Sequence, residues 1–136
     1  MAAGVLKSLL AEKLGCRPED LPAKGYHVES AGVSAHPGMY PSPLAEEVLK
    51  DKGIDISSHR SQSLTLEMAN RADYIFTMTQ SHLNALTALG PSVRRRARTL
   101  DDEDIEDPIG ENRAVYAQCA DRLEKALRRR LEEIPL

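Results

Sequence analysis

The chain has 136 residues, of which 41% are hydrophobic and 29% charged, a composition typical of one globular domain over residues 1–136 and not of a disordered chain. Its 18 Lys and Arg against 21 Asp and Glu give a net charge of −3, and with only 4% aromatic residues nothing favours a nucleic-acid surface. No apolar run approaches the ~18 residues of a membrane helix, and two cysteines, Cys16 and Cys119, are too few for a disulfide framework and fit a reducing cytoplasm.

Helical and strand patterns alternate along the chain. Apolar spacing, capping residues and glycine stops predict, in order, a helix over 1–15, a strand over 25–30, helices over 43–53 and 65–71, a strand over 74–78, a helix over 79–89, a strand over 97–100 and a helix over 111–134. Ser42 followed by Pro43 is a typical helix start. The alternation predicts a parallel α/β sheet, although three strands are few for such a sheet.

The run Tyr74–Met78 has the clearest strand pattern, because it is short, apolar and rich in β-favouring residues. We expect it to be buried on both faces, as strands of parallel sheets are. The four arginines at 94–96 and 98 are interpreted as a solvated segment that leads into the strand over 97–100.

Four segments, in order and on this pattern, carry a resemblance. They are residues 30–38 (SAGVSAHPG), 53–60 (GIDISSHR), 73–78 (DYIFTM) and 107–110 (DPIG). Together they resemble the low-molecular-weight protein tyrosine phosphatase family, over nearly the whole chain. The resemblance implies an α/β fold of three layers, a parallel sheet flanked by helices, and an enzyme that hydrolyses phosphate monoesters through a phospho-cysteine.

The segment that carries the family's chemistry does not occur in this sequence. Family members begin with a strand, which lies centrally in the sheet, and a loop of a cysteine, five residues and an arginine; Met1–Leu6 resembles the helix just after that loop. We therefore expect a phosphatase-like domain that is N-terminally truncated and lacks its first central strand. The two cysteines do not replace the loop, since the sixth residues after them are Pro22 and Lys125.

The missing loop predicts that the chain is inactive. Phosphoryl transfer by this route needs a thiolate, backbone N–H groups around the phosphate, a bidentate arginine and a separate acid. Of these, only an acid candidate is present. Three alternatives stay open: a non-catalytic binding or dimerising remnant, a protein-arginine phosphatase, and an arsenate-reductase relative, whose reaction also needs the absent cysteine loop.

The resemblance assigns roles to four residues. Asp107 matches the general acid and base, Ser34 and His59 match positions that support the phosphate loop, and Ile109 is the wall of the substrate pocket. Ile109 is aliphatic where an aromatic residue is common, which leaves phosphotyrosine and phosphoarginine both open. Without the resemblance, residues 101–107 fit better with a solvated acidic loop or a weak divalent-ion site, and His59 also fits a surface or turn histidine.

The predicted partners follow from the same reading. With the loop present, the substrate is a phosphorylated protein or a phosphate monoester, and we expect no nucleic acid, membrane or cofactor. We also expect no metal, because His27, His36 and His82 share no ligand spacing with the cysteines. Without the first strand, we expect backbone groups at the vacant slot to be unpaired, at a cost of about 1–3 kcal/mol for each buried group. Either the strand over 26–30 moves to pair with 74–78, or a homodimer covers the slot.

Overall fold

The computed structural model describes residues 1–33 and 36–136, which form two compact units. The helical unit comprises Met1–Ser30, Met39–Arg60 and Pro108–Leu136, and the strand unit comprises Ala31–Gly38 and Ser61–Asp107. The helices and strands are, in chain order, α1 (Ala2–Leu14), α2 (Pro43–Asp51), α3 (Leu66–Arg71), β1 (Ile75–Thr77), α4 (Gln80–Thr87), α5 (Pro91–Arg94), β2 (Ala97–Thr99) and α6 (Arg113–Glu132).

In the helical unit, α1 and α2 pack against the long helix α6. Their contacting faces are apolar and recur at helical spacing, so burying each large side chain stabilises the unit by about 1.5–3 kcal/mol. The buried residues include Val5, Leu9 and Leu10 of α1, Val48 and Leu49 of α2, and Leu123, Leu127 and Leu131 of α6. Ion pairs on the surface also join these helices, among them Lys52 with Asp121 at 2.6 Å.

The helix starts agree with the capping residues in the sequence. The Ser42 Oγ accepts a hydrogen bond from the Ala45 N–H at 3.2 Å, and Thr65 and Thr79 cap α3 and α4 in the same way. The last helix is capped by Asn112, and so it begins at Arg113, two residues later than predicted. Gly15 ends α1 in the left-handed conformation.

In the strand unit, β1 and β2 are parallel, with Ile75 opposite Ala97 and Thr77 opposite Thr99. The chain between them forms α4, as predicted, and the short helix α5, for which the sequence shows no pattern. A small core holds these elements together; it consists of Ala69, Leu86 and Val93, with Leu64, Ile75 and Ala97 against it. This β–helix–β arrangement confirms the predicted α/β class.

Two strand predictions are wrong. Residues 26–30 belong to no strand, and β1 pairs with β2 alone in the part of the chain that the structure describes. The alternating pattern at 26–30 indicates which side chains face inward. A strand also requires backbone hydrogen bonds in a regular ladder with a neighbouring strand, and this the pattern does not predict. The second wrong prediction is that the run Tyr74–Met78 is buried on both faces. In β1 only Thr77 is buried, because a two-stranded sheet has few neighbours, and Tyr74, just before β1, is 50% exposed. The three-layer sheet and its missing first strand stay predictions.

Candidate active site

Asp107 lies at the end of the acidic loop over residues 101–107. Ile105 anchors this loop: its side chain is buried and its N–H donates to the Met78 carbonyl, just after β1, at 2.9 Å. Asp107 itself is exposed, and the next residue, Pro108, is buried. The loop therefore presents the Asp107 carboxylate at the surface directly after a fixed point.

Other carboxylates of the same loop have structural roles. The Asp104 Oδ1 accepts from the N–H of Gln80, the first residue of α4, at 2.9 Å, which places a negative charge at the positive end of that helix. The Asp101 Oδ1 accepts from the Asp102 N–H at 2.8 Å. Within residues 1–33 and 36–136, no group of three or more His, Cys, Asp or Glu side chains is arranged to hold a metal ion.

Ile109 lies in the turn that leads into α6. The Pro108 carbonyl accepts from the Glu111 N–H at 2.9 Å, and Gly110 has a φ of +82°, which glycine adopts without strain. The side chain of Ile109 is 75% exposed. It is accessible to a ligand, as a wall of a substrate pocket would have to be.

His59 belongs to the helical unit and is half-buried. Its backbone N–H donates to the Ile56 carbonyl at 3.0 Å. Burial lowers the pKa of the imidazole, and the positive charges of the Met1 amino group, Lys7 and Arg60 lower this pKa further. At pH 7 the ring is therefore neutral, with one nitrogen that donates and one that accepts.

Ser34 lies outside the described residues. The segments on either side of it are held by the chain at 61–64. The Gly32 N–H donates to the Gln62 carbonyl at 3.0 Å, and the Gly32 carbonyl accepts from the Leu64 N–H at 2.9 Å. On the other side, the Gly38 N–H donates to the Ser61 carbonyl at 2.8 Å.

The predicted site residues divide between the two units. His59 and Ile109 belong to the helical unit, and Asp107 belongs to the strand unit. Both cysteines are half-buried thiols in the helical unit. Cys119 lies inside α6, and the Cys16 N–H donates to the Ala11 carbonyl at 3.0 Å. Neither cysteine therefore begins a loop whose N–H groups can bind a phosphate.

Sequence reasoning missed two arginines. Arg96 was interpreted as solvated, but its Nη1 donates to carbonyls at the end of α3, including that of Ala69 at 2.7 Å, and its Nε donates to Ser92. The guanidinium of Arg60 lies over the ring of Tyr40, with 3.8 Å between Cζ and the ring centroid. No local pattern indicates either contact, because both join residues more than three positions apart.

The chain is similar to known proteins over most of its length. The family model described as low molecular weight phosphotyrosine protein phosphatase matches residues 2–135. A protein-arginine-phosphatase from Geobacillus stearothermophilus is 35% identical over 116 residues, which cover 81% of this chain and 78% of that protein. An arsenate reductase from Staphylococcus aureus is 27% identical over 121 residues, covering 89% of this chain and 84% of that protein.

Solved structures agree with the sequence comparisons. The crystal structure of a low molecular weight protein tyrosine phosphatase from T. tengcongensis superposes with a TM-score of 0.83 at 32% identity, covering 98% of this chain and 88% of that one. Among the described residues, no helix is both long and apolar enough to cross a bilayer.

Proposed function

Because the chain belongs to the low molecular weight phosphotyrosine protein phosphatase family, we propose that its function is the hydrolysis of phosphate esters, with Asp107 as the general acid and base. The observation that carries this proposal is the match over residues 2–135 together with the exposed Asp107 at the anchored Asp-Pro turn. In this role Asp107 protonates the leaving group, which is the oxygen of a phosphate ester or the guanidinium nitrogen of phosphoarginine, and then activates the water that hydrolyses the phospho-cysteine.

We further propose that these 136 residues do not turn over substrate by themselves. The sequence has no cysteine followed six residues later by an arginine. Without a thiolate there is no covalent intermediate, and without the arginine and its loop the transferring phosphoryl group has no cradle. An acid in the correct place contributes only about 10²–10⁴-fold and cannot replace the nucleophile.

The test compares the chain with a chimera in which a relative's first strand and cysteine loop precede Met1. With p-nitrophenyl phosphate, we expect no turnover from the 136 residues and measurable turnover from the chimera. In the chimera, Asp107→Asn lowers kcat by about 10²–10⁴-fold. Asp102→Asn, a matched change of an exposed acid in the same loop, leaves kcat within about twofold of the unmutated chimera.

Turnover by the 136 residues that is lost on Asp107→Asn would contradict the proposed inactivity. A folded chimera without turnover would instead support the alternative, a non-catalytic binding module. The absence of the cysteine–arginine motif favours that alternative, and a second copy of the chain beside β1 is its simplest partner. Sedimentation velocity then gives a dimer for the 136 residues and a monomer for the chimera.

Ile109 bears on the choice of substrate. It is aliphatic and 75% exposed, so it offers no ring for stacking on phosphotyrosine. The relative at 35% identity is named a protein-arginine-phosphatase. We propose that the chimera accepts both phosphoarginine and phosphotyrosine peptides, and that Ile109→Phe raises the ratio of kcat/KM for phosphotyrosine over phosphoarginine by about 3–10-fold, as one aromatic contact would. An unchanged ratio would remove Ile109 from the substrate wall.

We also propose a cytoplasmic location. Its support is that both cysteines are thiols in the structure, as is usual in a reducing compartment. Fractionation of cells that produce the tagged chain tests it.

A further inference from the structure

Arg60 and Tyr40 form a stacked pair on the surface of the helical unit. The Arg60 Cζ lies 3.8 Å from the centroid of the Tyr40 ring, and Tyr40 is 72% exposed. The Tyr40 ring is therefore not part of a hydrophobic core. The attraction between guanidinium and ring keeps one face of each group covered while their edges stay in contact with solvent.

The guanidinium is also fixed along one of its edges. The Arg60 Nη1 donates to the Ser57 carbonyl at 2.8 Å and to the His59 carbonyl at 2.7 Å. The Nε and Nη2 atoms have no acceptor among residues 1–33 and 36–136. These two atoms form the edge of the guanidinium that matches a carboxylate with two parallel hydrogen bonds.

This arrangement differs from that of the arginines in the ion pairs of the same unit. The guanidinium of Arg113 already contacts the carboxylates of Glu47 and Asp51, and that of Arg128 contacts Glu124. The nearest carboxylate along the chain from Arg60 is that of Asp55, which accepts from the Ser57 N–H at 2.9 Å. The guanidinium of Arg60 is therefore held in place by the Ser57 and His59 carbonyls, and no carboxylate of the described residues binds it.

The charges around Arg60 favour an anion at this place. Lys7 and the Met1 amino group add positive charge near His59, the neighbour of Arg60. The chain as a whole carries −3, so a general attraction for polyanions is weak. An acidic group that reaches this pair gains two charge-assisted hydrogen bonds and does not have to order the arginine, whose entropy is already lost.

We propose that Tyr40 and Arg60 dock an acidic side chain of the polypeptide that carries the substrate. A glutamate or aspartate accepts two hydrogen bonds from the Nε and Nη2 of Arg60, and the adjoining peptide lies against the exposed ring of Tyr40. The identity of that polypeptide as a substrate rests on the proposed function. The docking is a binding event that needs no turnover.

The experiment titrates the ¹⁵N-labelled 136-residue chain with two peptides, followed by amide chemical shifts. The acidic peptide is Ac-Ala-Glu-Glu-Tyr-Glu-Glu-Ala-NH₂, and its counterpart has glutamine at every glutamate. We expect saturable shifts at residues 40 and 57–60 with the acidic peptide, and at least tenfold weaker binding of its counterpart. Arg60→Ala and Arg60→Gln each weaken acidic-peptide binding about 5–10-fold, while Arg94→Ala, an exposed arginine of the other unit, leaves it unchanged.

Variants at Tyr40 test the role of the ring. Tyr40→Phe keeps the ring and binds the peptide within twofold of the unmutated chain, and Tyr40→Leu weakens binding about threefold. Native amide dispersion away from residues 40 and 57–60 shows that each variant is folded. If the Arg60→Ala spectrum collapses, Arg60→Gln decides.

Three results would overturn the proposal. They are equal binding of the two peptides, equal losses for Arg60→Ala and Arg94→Ala, and shifts at residues 57–60 that inorganic phosphate produces more strongly than the acidic peptide, which would make the ligand a phosphate instead. None of these results depends on turnover. An inactive chimera would remove the proposed function and leave the docking result standing, and failed docking would leave the chimera's activity untouched.

Discussion

At the scale of single residues, His59 couples the helical unit to pH. Burial and neighbouring positive charge lower its pKa in the folded chain, whereas in the unfolded chain the pKa is about 6.5. Below about pH 6.5 the unfolded chain therefore binds more protons than the folded one. The free energy of unfolding is at its full value above that pH and falls as pH drops through 6.5 toward the lower, folded pKa.

We expect His59→Gln to reduce this dependence. The loss of unfolding free energy between pH 7.5 and pH 5.5, measured by urea denaturation, becomes smaller in the variant. His27→Gln, which changes an exposed histidine of the same unit, is the matched control against which the His59 variant is compared. A dependence as steep in His59→Gln as in the unmutated chain would assign the effect to another group.

Gly4 shows how closely two parts of the helical unit approach. A Cβ at this position would lie 2.5 Å from the Cγ2 of Ile56 and 3.4 Å from the Cγ2 of Ile54. The Cγ2 of a β-branched residue moves little, since its χ1 is restricted. Alanine would gain about 0.5–1 kcal/mol of helix propensity, but the overlap costs about 1–3 kcal/mol.

We therefore expect Gly4→Ala to lower the stability by about 1 kcal/mol, the overlap cost less the gain in helix propensity, measured by urea denaturation. In the background of Ile56→Ala, which removes the overlapping methyl group, the same change should be neutral or stabilising. Additive losses in the double mutant would show that the two residues do not contact in solution.

At the scale of elements, Arg96 connects the end of α3 to α5. Its guanidinium binds the carbonyls of Ala69, Asn70 and Ala72, which the last turn of α3 leaves without helical partners, and also the carbonyl of Ser92. Removing the guanidinium leaves the part-buried carbonyls of Ala69 and Ala72 without a hydrogen-bond donor, and each of these two hydrogen bonds contributes about 0.5–1.5 kcal/mol.

Arg96→Ala is thus expected to destabilise the chain by about 1–3 kcal/mol, measured by thermal and urea denaturation. Arg94→Ala, a neighbouring exposed arginine, should change the stability by less than about 0.5 kcal/mol. Equal effects of the two substitutions would mean that the hydrogen bonds to α3 contribute nothing net.

At the scale of the whole molecule, amide hydrogen exchange distinguishes ordered elements from segments without a ladder. We expect the amides of His27 and Val28 to exchange faster than those in the middle of α6, because among the described residues these two belong to no strand, while α6 is packed against α1 and α2. Protection of His27 and Val28 equal to that of α6 in a monomer would show that a ladder forms there in solution.

The sequence predicted those elements of the fold that depend on residues close together along the chain. All the helices except α5 follow from apolar spacing and from caps such as Ser42 and Thr79, whose hydrogen bonds span three residues, and both β1 and β2 lie within predicted strands. The short helix α5 carries no such pattern over its four residues. For the site, the sequence indicated Asp107, His59 and Ile109 only through a resemblance, and their roles remain proposals.

The amino-acid sequence alone determined the family, the α/β class and the absence of a cysteine–arginine phosphate motif in these 136 residues, since all three are read from residues in order along the chain. Only the tertiary structure decided that residues 26–30 form no ladder, that Arg96 holds the end of α3 and that Arg60 stacks on Tyr40. Each of these depends on backbone or side-chain groups that are distant in sequence and meet only when the chain folds.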